Sequence, residues 1–178
     1  DRFTSLYAYP GDLGRLMPEM ETAIPDDLLM IKIDDRSFSP YLKPATLFDG
    51  GSGLVSSAED YLKFAQMLLN GGELAGERVL SRKSVELMSS NHLPDRIKGS
   101  DDYIPGAGFG ITVGVIEDPA LLGQYGSKGM YFWGGAAATF FWVDPKEELV
   151  AVVMTQLLAS PWPMRETFNA LVYQAIDD

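Results

Sequence analysis

The stretch from Met130 to Gln156 constrains the fold of this chain more than any other. Met130 to Val143 is rich in aromatic and aliphatic residues, and predicts either one long strand or two strands joined at the small residues Gly134 to Ala138. Asp144 to Glu147 predicts a turn, with proline at its favoured second position. Leu149 to Gln156 predicts a further strand that is apolar on both faces. The chain is therefore expected to build an antiparallel sheet.

Helical periodicity appears before this sheet. A helix is expected after Ser56 or Ser57, each of which could cap it, and Gly71 and Gly72 supply a left-handed stop. Its apolar positions recur at i, i+3, i+4 and i+7, namely Tyr61, Phe64, Ala65 and Leu68. A second, shorter helix is predicted from Ser81 through Met88.

Two more elements complete the pattern. From Phe109 to Val115 apolar residues alternate with small ones, which predicts a single half-buried strand. The last helix is expected to begin at Ser160 or a neighbour, with a stripe formed by Phe168, Leu171, Val172, Ala175 and Ile176. The predicted class is α+β, an antiparallel sheet with flanking helices.

The length of 178 residues suits a single domain in three parts. Residues 1–49 form a loop-rich segment with five of the eleven prolines, residues 50–105 are mainly helical, and residues 106–178 contain the antiparallel strands and the C-terminal helix. The first residue is Asp1 rather than Met, so the domain is expected to be incomplete at its N-terminus.

Composition removes several classes of function. The chain has no cysteine, which excludes disulfides and thiolate chemistry, and its net charge of −11 with no basic stripe argues against a nucleic-acid partner. The longest apolar run is six residues, Leu149 to Met154, so no membrane span is predicted. His92 is the only histidine and is interpreted as a surface or capping residue. No metal or other cofactor is predicted.

The sequence contains no activated serine of the familiar kinds. A serine hydrolase without a histidine base can use lysine and tyrosine, through S-x-x-K and Y-x-N motifs. No serine here has lysine three residues later, and no tyrosine has asparagine two residues later. Tyr125-Gly126-Ser127 comes closest to the tyrosine motif, but its glycine and its place before a strand predict a loop.

Bulky aromatic residues flank a run of tiny ones between Tyr131 and Val143. Glycine inside a strand lowers stability and often marks a close approach by a ligand or by another element. Tight packing of the sheet against a helix requires small residues as well. The pattern alone leaves the two interpretations open.

Trp133-Gly134-Gly135 resembles the W-G-G variant that replaces K-T-G in certain esterases of the β-lactamase, penicillin-binding protein and esterase superfamily. Gly50 to Phe64 resembles that family's G-G-x-G-L-x-S-x-x-x-D-x-x-x-F helix start. Gly106 to Gly114 is similar to its glycine-rich strand, and Asp144 to Gln156 to its turn and following strand. The four blocks occur in the family's order and cover about residues 46 to 178.

The resemblance implies the C-terminal portion of a β-lactamase/transpeptidase-like fold. It assigns the backbone N–H of Ala136 to the oxyanion hole and Trp133 to the pocket lining, while Gly134 and Gly135 would let substrate approach the strand. The replacement of the K-T-G lysine favours esters over penicillin-type substrates, although a β-lactam stays possible. The family's serine–lysine and tyrosine motifs would lie upstream of Asp1, so this chain alone is expected to be inactive.

Partners and alternatives follow from the same resemblance. The complete protein would act on a small ester or β-lactam, and the strand at residues 149–156 would pair with an upstream segment or another copy of the chain. The compartment stays open between periplasm and cytoplasm. The alternative function is a non-catalytic binding or scaffold domain that has kept the fold without the nucleophile.

Overall fold

The computed structural model describes residues 6–8, 30–44, 46–48, 54–98, 100–101 and 103–177, except for the side chain of Ile31. The chain divides into two compact units. The first comprises Asp1–Ser57, Gly135–Thr139 and Met154–Trp162, and the second comprises Ala58–Gly134, Phe140–Val153 and Pro163–Asp178.

Pairs or longer runs of strands are separated by single helices along the described residues. In chain order they are β1 (Leu6–Ala8), β2 (Ile31–Asp34), α1 (Ala58–Leu69), β3 (Glu73–Leu74), β4 (Glu77–Arg78), α2 (Arg82–Met88), β5 (Ala107–Phe109), β6 (Gly114–Ile116), α3 (Pro119–Leu122), β7 (Tyr131–Gly134), β8 (Phe140–Asp144), β9 (Leu149–Val153), β10 (Leu157–Leu158) and α4 (Met164–Gln174). Short 3₁₀ turns occur at Pro40–Leu42 and Asp95–Ile97.

The second unit is built on a five-stranded sheet in the order β5-β6-β7-β8-β9, with every neighbouring pair antiparallel. Helices pack on both faces, because side chains of β8 alternate between two apolar clusters. Phe141 and Val143 join the cluster that contains α1, whereas Phe140 and Trp142 join the one against which α4 packs. This arrangement confirms the predicted α+β class. It also confirms the two-strand alternative for residues 130–143.

The first unit contains a smaller sheet in the order β10-β1-β2. β1 pairs with β2 antiparallel and with β10 parallel, and the Tyr7 N–H donates to the Gln156 carbonyl at 2.8 Å. The apolar patch from residue 28 to residue 33 predicts a short strand or a turn of helix, and it corresponds in part to β2, while residues 28 and 29 lie outside the described part of the chain.

Helix α1 follows the predicted pattern except at one position. It begins directly after Ser57, and Gly71 and Gly72 adopt the expected positive φ values of 67° and 97°. Phe64 was expected in the buried face but is 42% exposed. Met67 is buried instead, so the packed face is rotated from the predicted one.

The other two helix predictions had different outcomes. α2 starts as predicted, with the Ser81 hydroxyl accepting the Ser84 N–H at 3.0 Å. α4 begins at Met164 rather than near Ser160, and of the predicted stripe Leu171 and Ile176 are exposed. The residues that pack against the sheet are Phe168, Val172 and Tyr173.

The single strand predicted from Phe109 to Val115 is wrong. β5 and β6 are separate strands that pair with each other. Between them the Gly110 N–H donates to the Val113 carbonyl at 2.8 Å, and Thr112 has a φ of 71°, which reverses the chain. Alternation of small and apolar residues fits a tight hairpin as well as one long strand, so the pattern could not separate the two.

The strand predicted at residues 149–156 is shorter than expected. β9 ends at Val153 and, among the described residues, pairs only with β8, so it is an edge strand of the five-stranded sheet. The second neighbour expected for this strand, an upstream segment or another copy of the chain, is not tested by the described residues. An apolar sequence reports that both faces of a strand are covered, and carries no information about neighbours at its two edges.

A buried carboxylate anchors the C-terminal helix in the second unit. Asp144 is fully buried, and its Oδ2 accepts the Tyr173 hydroxyl at 2.6 Å and the Ser127 N–H at 3.0 Å. Its Oδ1 accepts the N–H groups of Lys146 and Glu147 at 3.1 and 3.4 Å, which closes the predicted turn after β8. The carboxylate thus holds four donors from three parts of the unit.

Tyr173 is fixed by aromatic neighbours as well as by this hydrogen bond. Its ring stacks on Trp142 and on Tyr125, with centroids 6.2 Å away in each case. Burial, together with the hydrogen bond to Asp144, raises the pKa of the Tyr173 hydroxyl well above its usual value near 10. The hydroxyl therefore remains a donor at all physiological pH values.

Candidate active site

The end of β7 projects past its neighbour β6. Gly114, the first residue of β6, pairs with Phe132, so Trp133 and Gly134 lie beyond the β6–β7 ladder. On the other side they still pair with Phe141 and Phe140 of β8. One edge of the strand is consequently without a ladder partner in the described part of the chain.

The register indicates which backbone groups face that edge. The Met130 carbonyl accepts the Ile116 N–H at 2.8 Å, so even-numbered residues of this segment direct their polar backbone groups toward β6. Gly134 continues this alternation where β6 has not yet begun. The N–H and C=O of Gly134 therefore face the open edge of β7, where they can hydrogen-bond a ligand.

A tight turn follows directly at Gly135–Thr139. The Gly135 N–H donates to the Thr139 carbonyl at 2.8 Å, and the Ala138 N–H donates to the Gly135 carbonyl at 3.1 Å. Ala138 has a φ of 56°, whereas Ala136 and Ala137 are not among the residues with positive φ. This is a type I turn followed by a left-handed residue, one of the common three-residue hairpin loops.

The position of Ala136 in this turn leaves its N–H available. Its carbonyl accepts the Ala159 N–H at 3.0 Å, and the neighbouring Ala137 carbonyl accepts the Thr155 hydroxyl at 2.5 Å. Both carbonyls are thus occupied and hold the turn in place. No described residue accepts the Ala136 N–H, and the residue is exposed. A fixed and unused donor of this kind suits an incoming carbonyl oxygen.

Gly135 has a structural reason to be small. A Cβ at this position would lie 2.3 Å from the Thr139 hydroxyl, much closer than any real contact. The turn itself therefore favours glycine here, and this contact within the turn does not decide between approach of a ligand and packing of the sheet against a helix. It does not conflict with a role of the strand in binding.

Gly135→Ala is expected to lower the stability of the protein by about 1 kcal/mol, because Thr139 must leave its preferred rotamer. Gly135→Ala combined with Thr139→Ala should recover most of that loss, since the Thr139 Cβ would be at an ordinary 3.7 Å. Thermal melts followed by circular dichroism, with Thr139→Ala alone as the reference, measure both effects. Equal destabilisation in the single and double variants would show that the clash is not the cause.

Trp133, predicted to line a pocket, is partly exposed and contacts one other aromatic ring. Its side chain is 47% exposed, and its ring meets Phe109 of β5 edge to face, with centroids 5.3 Å apart and an interplanar angle of 83°. Phe109 was absent from the predicted site. No sequence pattern identifies it, because Phe109 and Trp133 come together only through the hairpin between β5 and β6.

Two residues considered from the sequence have structural roles. The His92 Nε2 lies 2.8 Å from the Leu87 carbonyl at the end of α2, which agrees with a capping histidine. Ser127 is buried in a loop, and its hydroxyl donates to Glu147 at 3.1 Å. Tyr125-Gly126-Ser127 is therefore the loop that the sequence predicted.

Tyr131 is the tyrosine nearest to Trp133 along β7, and its side chain is buried. Burial raises the pKa of its hydroxyl well above the usual value near 10, so the group stays protonated at neutral pH. Among the described residues, no group of three or more His, Cys, Asp or Glu side chains is placed to hold a metal ion. Within the same residues, no helix is long and apolar enough to cross a membrane.

Two curated proteins of Mycobacterium tuberculosis are similar in sequence to this chain. Protein Rv1367c of Mycobacterium tuberculosis strain H37Rv is 38% identical over 126 residues, which cover 66% of this chain and 31% of that protein. The uncharacterized protein MT1414 of strain CDC 1551 matches with the same values. The chain therefore spans about a third of the length of the curated relatives that it matches.

Solved structures share the fold at lower identity. Unliganded simvastatin synthase LovD from Aspergillus terreus, as its selenomethionyl derivative, aligns with a TM-score of 0.65 at 20% identity, covering 98% of this chain and 43% of that one. EstCE1, a hydrolase with promiscuous acyltransferase activity, aligns with a TM-score of 0.59 at 24% identity, covering 82% and 36%. The model of the family described as Beta-lactamase matches residues 1–174. This chain belongs to the β-lactamase family.

Proposed function

We propose that this chain is the C-terminal portion of a serine hydrolase that works through an acyl-enzyme, with esters as its preferred substrates. The observation that carries the proposal is the Ala136 N–H, a donor without an acceptor among the described residues, on a turn held by hydrogen bonds to the Ala136 and Ala137 carbonyls. In the sequence Ala136 comes two residues after Gly134, whose outward-facing N–H and C=O could hydrogen-bond polar atoms of the substrate.

Each group would have a defined part in the reaction. A serine Oγ from a segment outside these 178 residues attacks the ester carbonyl carbon, and the carbonyl oxygen becomes an oxyanion. The Ala136 N–H donates to that oxygen, so the charge develops against a donor already in place. The alcohol then leaves with a proton, and water cleaves the resulting acyl-serine ester to release the acid and restore the hydroxyl.

Esters are favoured over β-lactams because Trp133 stands where relatives with K-T-G have lysine. A tryptophan offers apolar surface and a single N–H, and cannot pair with a substrate carboxylate. The names of the structural relatives, a hydrolase with acyltransferase activity and a synthase that makes simvastatin, are compatible with acyl chemistry on this fold.

The second partner of β9 belongs to the same proposal. An upstream segment of the longer protein, or another copy of the chain, would pair with the edge of β9 that has no neighbour among the described residues. Support comes from the apolar composition of Leu149–Val153, which is unusual for an edge left in water.

A non-catalytic binding or scaffold domain is the second candidate, and the absence of S-x-x-K and Y-x-N from these 178 residues favours it. The isolated chain cannot decide between the two. The decisive sample is the longer protein that contains it.

The 178-residue chain alone should release no burst of p-nitrophenol from p-nitrophenyl acetate and should not react with a fluorophosphonate probe. Both reactions need an activated serine, and no serine here has a basic partner at usable spacing. The longer protein should react with the probe at a serine outside this segment. Stoichiometric labelling of a serine in the isolated chain would contradict the first expectation. A longer protein that neither labels nor hydrolyses any ester would be a scaffold.

A further inference from the structure

Phe109 and Trp133 form an exposed aromatic pair, and Trp133 lies three residues before Ala136 in the sequence. Their side chains are 37% and 47% exposed, and their ring planes stand at 83° to each other. Single exposed apolar residues are common on protein surfaces and need no explanation. Two large rings that contact each other while keeping much of their surface free, at the end of an open strand, are a different feature.

The exposure of Phe109 does not come from a loose backbone. Its N–H donates to the Asn91 Oδ1 at 3.1 Å, and its carbonyl accepts the His92 N–H at 2.8 Å. The next residue, Gly110, is so close to the Met88 carbonyl that a Cβ would lie 2.1 Å from that oxygen. The ring is therefore presented from a fixed backbone, which lowers the entropy lost when a ligand binds.

The geometry of the pair favours one shape of ligand. Two rings at nearly a right angle form a corner, in which a flat group can lie against the face of one ring and the edge of the other. Aromatic groups prefer such offset and edge-to-face contacts over parallel sandwiches. An aryl group fills the corner better than a short alkyl chain, which would contact one ring at a time.

We propose that Phe109 and Trp133 form a subsite for the acyl part of the substrate, selecting acyl groups that carry an aryl ring. This inference rests on the proposed function. The acyl part is assigned rather than the alcohol because it keeps its bond to the carbonyl carbon when the alcohol leaves. It also stays on the enzyme through both steps, so a fixed contact with it can assist formation and breakdown of the acyl-enzyme.

The test compares two esters with the same leaving group in the complete protein, p-nitrophenyl acetate and p-nitrophenyl phenylacetate. We expect Phe109→Leu to lower the ratio of kcat/KM for phenylacetate to that for acetate by about 2- to 10-fold, the usual range for one lost aromatic contact. Trp133→Leu should lower the ratio in the same direction, and serves if Phe109→Leu does not fold.

Phe64→Leu is the matched control. Phe64 is also a partly exposed phenylalanine in edge-to-face contact, with Tyr61 at 5.6 Å, but it lies on α1. Its replacement should leave the ratio unchanged. 1-Naphthyl acetate is a third substrate, in which the alcohol is enlarged and the acyl group is still acetate. Phe109→Leu should not lower the ratio of kcat/KM for 1-naphthyl acetate to that for p-nitrophenyl acetate.

The outcomes distinguish failure of the proposed subsite from failure of the proposed hydrolase function. If the wild-type complete protein hydrolyses neither p-nitrophenyl ester, the proposed function itself fails. If it hydrolyses both and Phe109→Leu and Trp133→Leu leave the ratio unchanged, or reduce both rates equally, the subsite is overturned while the hydrolase stands. A selective loss with 1-naphthyl acetate would overturn the acyl assignment.

Discussion

Ala136→Pro is expected to reduce kcat of the complete protein by about 10²- to 10³-fold, because it removes the backbone N–H proposed for the oxyanion. Ala136 is the second residue of the type I turn that starts at Gly135, and proline is favoured there. The preceding residue is glycine, which tolerates the conformations that proline imposes on its neighbour. The substitution should therefore delete one donor while leaving the turn intact.

Ala136→Val provides the control, since valine has a similar volume but keeps its N–H. The valine variant should retain activity within a few-fold of wild type if the donor is what matters. Steady-state kinetics with p-nitrophenyl acetate and thermal melts of all three proteins make the comparison. A proline variant that melts normally and turns over at the wild-type rate would remove Ala136 from the oxyanion hole. Equal losses in both variants would point to steric blockage instead.

Asp144→Asn is expected to be the most destabilising conservative change in the second unit, costing about 3 kcal/mol. The carboxylate is fully buried and accepts four hydrogen bonds, from Tyr173, Ser127, Lys146 and Glu147. An asparagine presents an NH₂ where one oxygen was, so donors on that side face another donor and lose their acceptor in the interior. Total stabilities of about 5–15 kcal/mol make this a large share.

Two further variants test whether the buried hydrogen-bond network is the cause of the lost stability. Tyr173→Phe removes one donor and keeps the ring that stacks on Trp142, so its loss should be smaller, about 1.5 kcal/mol. Asp95→Asn changes an exposed carboxylate paired with Lys98 and should have no measurable effect. Urea unfolding followed by circular dichroism ranks the three. If Asp144→Asn were no worse than Asp95→Asn, the network would contribute nothing to stability.

The parts of the fold that the sequence predicted are those governed by local chemistry. The Ser81 cap, the Gly71-Gly72 stop and the Asp144-Pro145 turn each depend on a few neighbouring residues, and all three are present. The division between β7 and β8 at the small residues was one of two predicted alternatives. These features need no knowledge of what lies across the fold.

The failures share a different cause, which is contact between distant segments. One strand was predicted where β5 and β6 form a hairpin, because alternation does not record where a chain reverses. The helix faces were misjudged at Phe64 and Leu171, since the side that packs is chosen by the sheet. Hydrophobicity indicated a strand at residues 149–156 but could not locate its end, which is at Val153.

The residues of the candidate site also differ in whether the sequence alone could identify them. Trp133 and Ala136 were identified through a sequence motif, and their roles stay predictions until the complete protein is assayed. Phe109 could not be found from the sequence, because its relation to Trp133 depends on β5 and β6 folding back on each other. The fixed backbone of Phe109 depends on Asn91, which is eighteen residues away in the sequence.

The edge position of β9 bears on how this polypeptide behaves at high concentration. Leu149–Val153 contains no proline, no lysine and no other charged residue, the usual gatekeepers that discourage one sheet from growing onto another. Any condition that leaves this edge unpaired turns the segment into a template for strand addition, and ordered aggregates then compete with the native state. Dilution and low temperature, which weaken hydrophobic association, are the conditions under which the isolated chain stays dispersed longest.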